Sequence, residues 1–232
     1  MKSLTQSLTL CLLVLLFACQ PAADNSTAAA DEDTTAQTVS DDKQDDTPTE
    51  GIEVGDQAPT FNLKSVDGEM YSFDNIKDAN GETPKGFIVT FTCNTCPYAV
   101  DYEDRIIALH NKMSPQGYPV VAIQPNDPAV KDGDSFESMQ TRAQEKGFPF
   151  LYLNDGAQEV YPKYGATRTP EVFLVDADGI VRYQGAIDDN HQEPAKVTVN
   201  YVETAVAAIE AGRDPEPSFV KAIGCTIKTK KT

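Results

Sequence analysis

The apolar run Gly86-Phe87-Ile88-Val89-Thr90-Phe91 constrains this chain most, because of the pair of cysteines just beyond it. A short uncharged stretch of this kind reads as a fully buried strand of a central sheet. It leads through Thr92 into Cys93-Asn94-Thr95-Cys96-Pro97, and then into Tyr98 to Met113. There Ala99, Tyr102, Ile106, Leu109 and Met113 recur at three- and four-residue steps, which predicts a helix with one apolar face. Two closely spaced thiols thus stand where a strand hands over to a helix. A helix N-terminus carries unpaired backbone N–H groups and partial positive charge, which favour thiolate over thiol. A thiolate there is a nucleophile, and the second thiol is near enough to resolve a mixed disulfide. The junction points to thiol–disulfide chemistry.

The neighbouring segments extend the pattern. Thr60-Phe61-Asn62-Leu63 and Met70-Tyr71-Ser72-Phe73 alternate around Asp67-Gly68, which predicts a hairpin. Tyr118 to Gln124 reads as a second buried strand, closed by Pro125. Asp134 and Glu137 form a capping-box-like start for a helix that ends at Gly147. Phe148 to Leu153 reads as a strand, and Ala157 to Tyr164 as a short helix stopped by Gly165. Glu171 to Asp176 and Ile180 to Gln184 flank Asp178-Gly179, a second hairpin. Val199, Val202, Val206 and Ile209 mark a last helix, with Thr198 as N-cap and Gly212 just past its end. From Arg213 the tail, with Pro215 and Pro217, is expected to be extended. Such alternation gives an α/β fold: a mixed central sheet with helices on both faces, thioredoxin-like, with an added N-terminal β-hairpin.

The first fifty residues differ in kind. Met1-Lys2 is a minimal basic start, and Leu8 to Ala18 is an apolar stretch of signal-peptide length, too short to span a bilayer. It ends in Leu16-Phe17-Ala18-Cys19, which resembles the lipobox of bacterial lipoproteins, with Phe17 departing from the small residue usual there. The resemblance implies cleavage before Cys19 and acylation of Cys19, anchoring the protein to a membrane. Gln20 rather than Asp after the cysteine implies the periplasmic face of the outer membrane rather than the inner one. Soluble secretion or a free periplasmic protein, with cleavage near Ala22 or Ala23, is the alternative. Gln20 to Glu50 holds nine acidic residues, one lysine and no aromatic residue, too little apolar surface to offset its ordering entropy. The expected organisation is therefore a signal over 1–18, lipidated Cys19 with a disordered acidic tether over 19–50, and one domain over 51–232. Residues 1–50 carry two lysines and nine acidic residues; the remainder keeps 17 basic against 27 acidic residues, a net charge of −10. That balance argues against nucleic acid as a partner.

Of the five cysteines, Cys11 leaves with the signal and Cys19 takes the lipid, so Cys93, Cys96 and Cys225 remain. Three cannot all pair internally, and a Cys93–Cys96 bridge with Cys225 left over is the simplest arrangement. Such a bridge closes too short a loop to be useful as a staple. A zinc site needs two further ligands, and His110 and His191 do not supply the spacing, so no metal or other cofactor is expected. Cys225 reads either as a buried small residue or as a third redox thiol brought to the site by the tail. His191, in Asp188-Asp189-Asn190-His191, reads as part of a solvated turn rather than a catalytic base.

Four segments carry a family resemblance: Val54-Gly55-Asp56-Gln57-Ala58-Pro59, Cys93-Asn94-Thr95-Cys96-Pro97-Tyr98, Tyr164-Gly165-Ala166 through Arg168-Thr169-Pro170-Glu171-Val172-Phe173-Leu174, and Ile223-Gly224-Cys225-Thr226-Ile227-Lys228. With them, residues 51–232 resemble redoxins of the alkyl hydroperoxide reductase/thiol-specific antioxidant superfamily, in its thioredoxin-like, peroxiredoxin-like bacterial branch. The resemblance implies a thiol–disulfide oxidoreductase in which Cys93 attacks and Cys96 resolves. It implies a cis Pro170 opposite the thiols, with Thr169 offering backbone groups to a substrate strand. Its implied partners are protein or small-molecule disulfides and an electron donor that the sequence does not identify. Two positions depart from thioredoxins: Thr92 replaces a common Trp, and Phe87 stands where a buried Asp is usual. Peroxidase activity is the neighbouring alternative. In the Thr-x-x-Cys motif of peroxiredoxins the Cys matches Cys96 and the Thr matches Cys93, and Arg168 approximates the required Arg. A Cu(I)-binding chaperone is the alternative of another class, since soft thiolates suit Cu(I).

Overall fold

Each strand of the central sheet places alternate side chains on two faces, and both faces are covered. The computed structural model describes residues 51–231; the expected signal, Cys19 and the tether lie outside the described residues. In chain order the strands are β1 (Leu63–Ser65), β2 (Met70–Tyr71), β3 (Gly86–Phe91), β4 (Val120–Gln124) and β5 (Leu151–Asn154). They continue as β6 (Arg168–Thr169), β7 (Glu171–Asp176), β8 (Val181–Gly185), β9 (Phe219–Val220) and β10 (Cys225–Thr226). The helices are α1 (Pro97–Met113), α2 (Phe136–Lys146), α3 (Tyr161–Tyr164) and α4 (Tyr201–Glu210). One mixed sheet has the order β2-β1-β5-β4-β3-β7-β8-β9, and β6 pairs separately with β10.

The predicted apolar run is the centre of the sheet. β3 is buried throughout, parallel to β4 and antiparallel to β7. Its Ile88 packs with Tyr102, Ile106 and Leu109 of α1, Met139 of α2 and Val202 of α4. Phe87, Val89 and Phe91 point to the opposite cluster, closed by Phe61, Ile76, Val160 and Tyr164 of α3. Full burial of each such side chain contributes roughly 1.5–3 kcal/mol relative to exposure, so β3 is held from both sides. The helices therefore divide unequally, with three on one face and the single turn of α3 on the other. The N-terminal hairpin is present as β1 and β2, with Gly68 in the left-handed region at its turn.

Several local expectations are corrected. Asp134 does not cap α2; Ser135 does, its side chain accepting the Ser138 N–H, while Asp134 turns towards the cysteines. The helix expected from Ala157 is only α3, because the buried Asp155 carboxylate accepts the N–H groups of Glu159, Val160 and Tyr161 and holds that segment as a turn. Thr198 does not cap α4. Its N–H and hydroxyl are taken by Asp189, and Asn200 is the N-cap. β5 begins at Leu151 rather than Phe148, since Pro149 has no N–H for a ladder. The tail is not merely extended: β9 joins β8 in parallel, and β10 lies antiparallel to β6.

Candidate active site

α1 begins in a way that leaves its first turn open to a sulfur. Cys96 is the N-cap, with an extended backbone and no capping bond from its side chain, and Pro97 takes the first helical position. Proline there removes an N–H that has no helical partner anyway. Cys93, at the end of β3's continuation, and Cys96 are 3% and 4% exposed, and Cys225 is half-buried; all three are free thiols. They pack together with Ala99 and Tyr98. Facing them is Thr169, joined to Pro170 by a cis peptide bond. The Cys93 Sγ lies 3.3 Å from the Thr169 hydroxyl, and the Cys96 Sγ lies 3.2 Å from the Thr169 carbonyl oxygen. The Cys225 N–H donates to the Cys96 Sγ at 3.4 Å. Cys225 stands opposite Thr169 in the β10–β6 ladder, so the chain's own tail occupies the edge that the family resemblance offered to a substrate strand.

The three thiols are not equivalent. Cys96 is drawn down to about 5, first by the hydrogen bond from the Cys93 side chain, then by the Cys225 side chain and the N–H groups of Ala99 and Cys225; burial opposes these. Cys93 is pushed well up by the same shared hydrogen bond, by burial and by the negative charge of Asp134. Cys225 is raised to about 12, first by burial, then by its hydrogen bond to Cys96 and the Cys96 charge. These directions favour the anion on Cys96 and the proton on Cys93, whereas the resemblance gives the attacking role to Cys93. Titrating the thiolate ultraviolet absorbance of the reduced protein is expected to show one ionisation near pH 5, absent from Cys96→Ser. A low-pH thiolate that survives in Cys96→Ser and vanishes in Cys93→Ser would reverse the assignment.

The residues between the thiols are pinned from below. Asp134, 1% exposed, accepts the N–H groups of Asn94 (2.8 Å) and Thr95 (3.2 Å), the Thr95 hydroxyl (2.7 Å) and the Asn126 side-chain amide (2.7 Å). The Asn94 side chain donates to the Gly133 carbonyl and accepts from the Tyr152 hydroxyl. Sequence reasoning missed Asp134, Asn126 and Tyr152 as parts of the site. Asp134 drew notice only as a cap, and the other two carried no local signal.

The remaining candidates fall around this centre. An Arg168 Nη donates to the Gly224 carbonyl of the tail at 3.2 Å. His191 lies in a loop, its ring 5.0 Å from that of Tyr98, and its carbonyl accepts from Arg105. Arg105 also pairs with the buried Asp188 at 2.7 Å, which fixes that loop against α1. Among the described residues no group of three or more His, Cys, Asp or Glu side chains is placed to hold a metal ion. Also among them, no helix is long and apolar enough to cross a membrane.

A buried dithiol at a helix N-terminus, beside a cis-proline at the same end of a mixed sheet, defines a redoxin of thioredoxin-like fold, an oxidoreductase. The chain belongs to the AhpC/TSA family, whose sequence profile matches residues 54–184. It is similar to the thiol:disulfide interchange protein DsbE of Yersinia pestis, 29% identical over 148 residues that cover 63% of this chain and 71% of that protein. Similarity to DsbE of Escherichia coli K12 is 30% over 149 residues, covering 63% and 72%. Among solved structures, an uncharacterized conserved protein from Geobacillus kaustophilus superposes with a TM-score of 0.71 at 32% identity, covering 79% of this chain and 95% of that one. A hypothetical protein from Sinorhizobium meliloti 1021 gives 0.71 at 30%, covering 78% and 97%.

Proposed function

We propose that this redoxin is a thiol–disulfide oxidoreductase of the bacterial cell envelope, working through Cys93 and Cys96. One observation carries the reading: Cys93 and Cys96 pack together at the N-terminus of α1, beside the cis Thr169-Pro170 bond. The Cys96 thiolate attacks a substrate disulfide, forming a mixed disulfide and expelling one substrate thiolate, which takes up a proton. Cys93 then loses its proton and attacks the Cys96 sulfur. The Cys93–Cys96 disulfide forms, and the second substrate thiolate leaves. Substrate gains two electrons and the protein loses two, to be restored by an electron donor with a thiol of its own. Thr169 borders the thiols beneath the tail, and Pro170 continues that border towards the surface. Pro170 also lines a cleft of about 130 Å³ with Ile187, His191, Tyr201 and Ile223, a route for substrate.

The relatives named as thiol:disulfide interchange proteins support the same chemistry and substrates that bear disulfides. The lipobox-like Leu16-Phe17-Ala18-Cys19 supports export, with Cys19 as lipid anchor and residues 19–50 as tether to a domain over 51–232 that faces the periplasm. Disulfides persist in that compartment and need managing. The protein is expected to accelerate insulin reduction by dithiothreitol at least about tenfold over dithiothreitol alone; equal rates would sink the reading.

Peroxide reduction is a second reading, favoured by the placement of the anion on Cys96. That is the cysteine of the peroxiredoxin motif, with the Cys93 S–H standing in for the threonine hydroxyl. Hydrogen peroxide consumption that outpaces insulin reduction at equal donor concentration would make it the principal activity.

A further inference from the structure

Cys96 touches two thiols, and exchange through the Cys93–Cys96 pair uses only one of them. The other, Cys225, lies beyond the segment matched by the family profile. Its position is built rather than incidental. A Cβ on Gly224 would stand 2.2 Å from the Thr169 carbonyl oxygen, so only glycine lets β10 approach β6 this closely. Just past Cys225, Lys228 is fixed by its main chain: its N–H donates to the Asn126 side chain and its carbonyl accepts the Asp127 N–H, each at 2.8 Å. The Gln158 side chain holds the same carbonyl at 2.9 Å. The cysteine between these anchors directs its N–H at the Cys96 sulfur at 3.4 Å, and the two cysteines pack against one another. It is also the most exposed of the three, half-buried where Cys93 and Cys96 are buried.

We propose that Cys225 is a relay thiol that moves the disulfide from the buried Cys93–Cys96 pair out to a Cys96–Cys225 linkage, where a protein dithiol donor reduces it. The proposal rests on the disulfide-exchange reading and adds the path by which electrons enter. The Cys225 thiolate attacks the Cys96 sulfur of the Cys93–Cys96 disulfide. The Cys96–Cys225 bond forms, the Cys93–Cys96 bond breaks, and Cys93 leaves and takes up the proton that Cys225 gave away. No net oxidation occurs. A thiol of the donor then attacks the Cys225 sulfur and expels Cys96 as a thiolate, an easy leaving group because its anion is stabilised. The donor's second thiol frees Cys225, so the donor ends as a disulfide and supplies both electrons. The site also times the relay. In the reduced protein burial and then the Cys96 anion hold the Cys225 proton in place, and the second of these restraints ends once Cys96 is in a disulfide.

The test reads linkages rather than turnover, so it stands apart from the disulfide-exchange reading. Cys93→Ser, checked for native circular dichroism and treated with diamide, is expected to lose two hydrogens. Non-reducing peptide mapping should then join Cys96 to Cys225. Two free thiols after that treatment overturn the proposal. As a second measurement, oxidised Cys225→Ser should be reduced by thioredoxin at least about threefold more slowly than oxidised wild type; a smaller difference overturns it. Failure of both variants alongside normal insulin reduction by the wild type would remove the relay and leave the dithiol mechanism standing.

Discussion

Cys96→Ser is expected to lose insulin reduction by at least about a thousandfold, since removal of an attacking group leaves only what binding and orientation supply. Serine keeps the shape of the side chain and the geometry of the α1 N-terminus. It removes the anion, because a hydroxyl does not ionise near neutral pH. The hydrogen bonds of Ala99, Cys225 and Cys93 that hold charge on sulfur then have no anion to hold. Cys93 remains, but burial and the charge of Asp134 keep its proton on. The two substitutions should therefore differ. With Cys225 also replaced by Ser, Cys93→Ser leaves the nucleophile and removes both thiols that could resolve it, so mixed disulfides with substrate accumulate on Cys96 and are visible by non-reducing electrophoresis. Mixed disulfides that instead accumulate on Cys93 in Cys96→Ser would restore the thioredoxin order of roles.

Asp134→Ala is expected to destabilise the fold by about 2–4 kcal/mol, since it leaves neutral donors without their acceptor at about 1–3 kcal/mol for each buried one. The substitution strands the Asn126 amide in a buried place and the N–H groups of Asn94 and Thr95 and the Thr95 hydroxyl in partly buried ones. Urea denaturation should show the midpoint falling with little change in slope, since the surface exposed on unfolding is the same. A second effect has a definite sign. Asp134 raises Cys93 through its charge, so removing it lowers the Cys93 ionisation and narrows the gap between the two thiols. Loss of less than about 1 kcal/mol would mean that the loop between the thiols holds itself in place without the carboxylate.

The difference between what the sequence reveals and what it hides comes down to range. β3, β4 and α1 were legible because apolar period and burial are local properties of a segment. The Cys93/Cys96 pair was legible for the same reason, and the cis Pro170 came from a family motif rather than from the residues beside it. Asp134 was not legible. Its position beside Ser135 and Glu137 suits a cap, and its true partners lie some forty residues earlier. The short α3 depends on Asp155 turning its carboxylate onto its own following backbone, a choice that composition does not reveal. The tail was hardest. Pro215 and Pro217 announce extended chain correctly, but pairing of β10 with β6 is decided by a ladder partner more than fifty residues away.

That pairing limits what the protein can admit. Many thiol oxidoreductases seize a protein by letting it lie down as one more strand beside the cis-proline. Here the berth beside Thr169 is taken by Cys225, with Gly224 pressed onto the same carbonyl. On the proposed function, an incoming disulfide is expected to arrive end-on, at the tip of a loop or on a small molecule. Selection then falls on how narrow a disulfide's carrier is, and not on the residues that flank it.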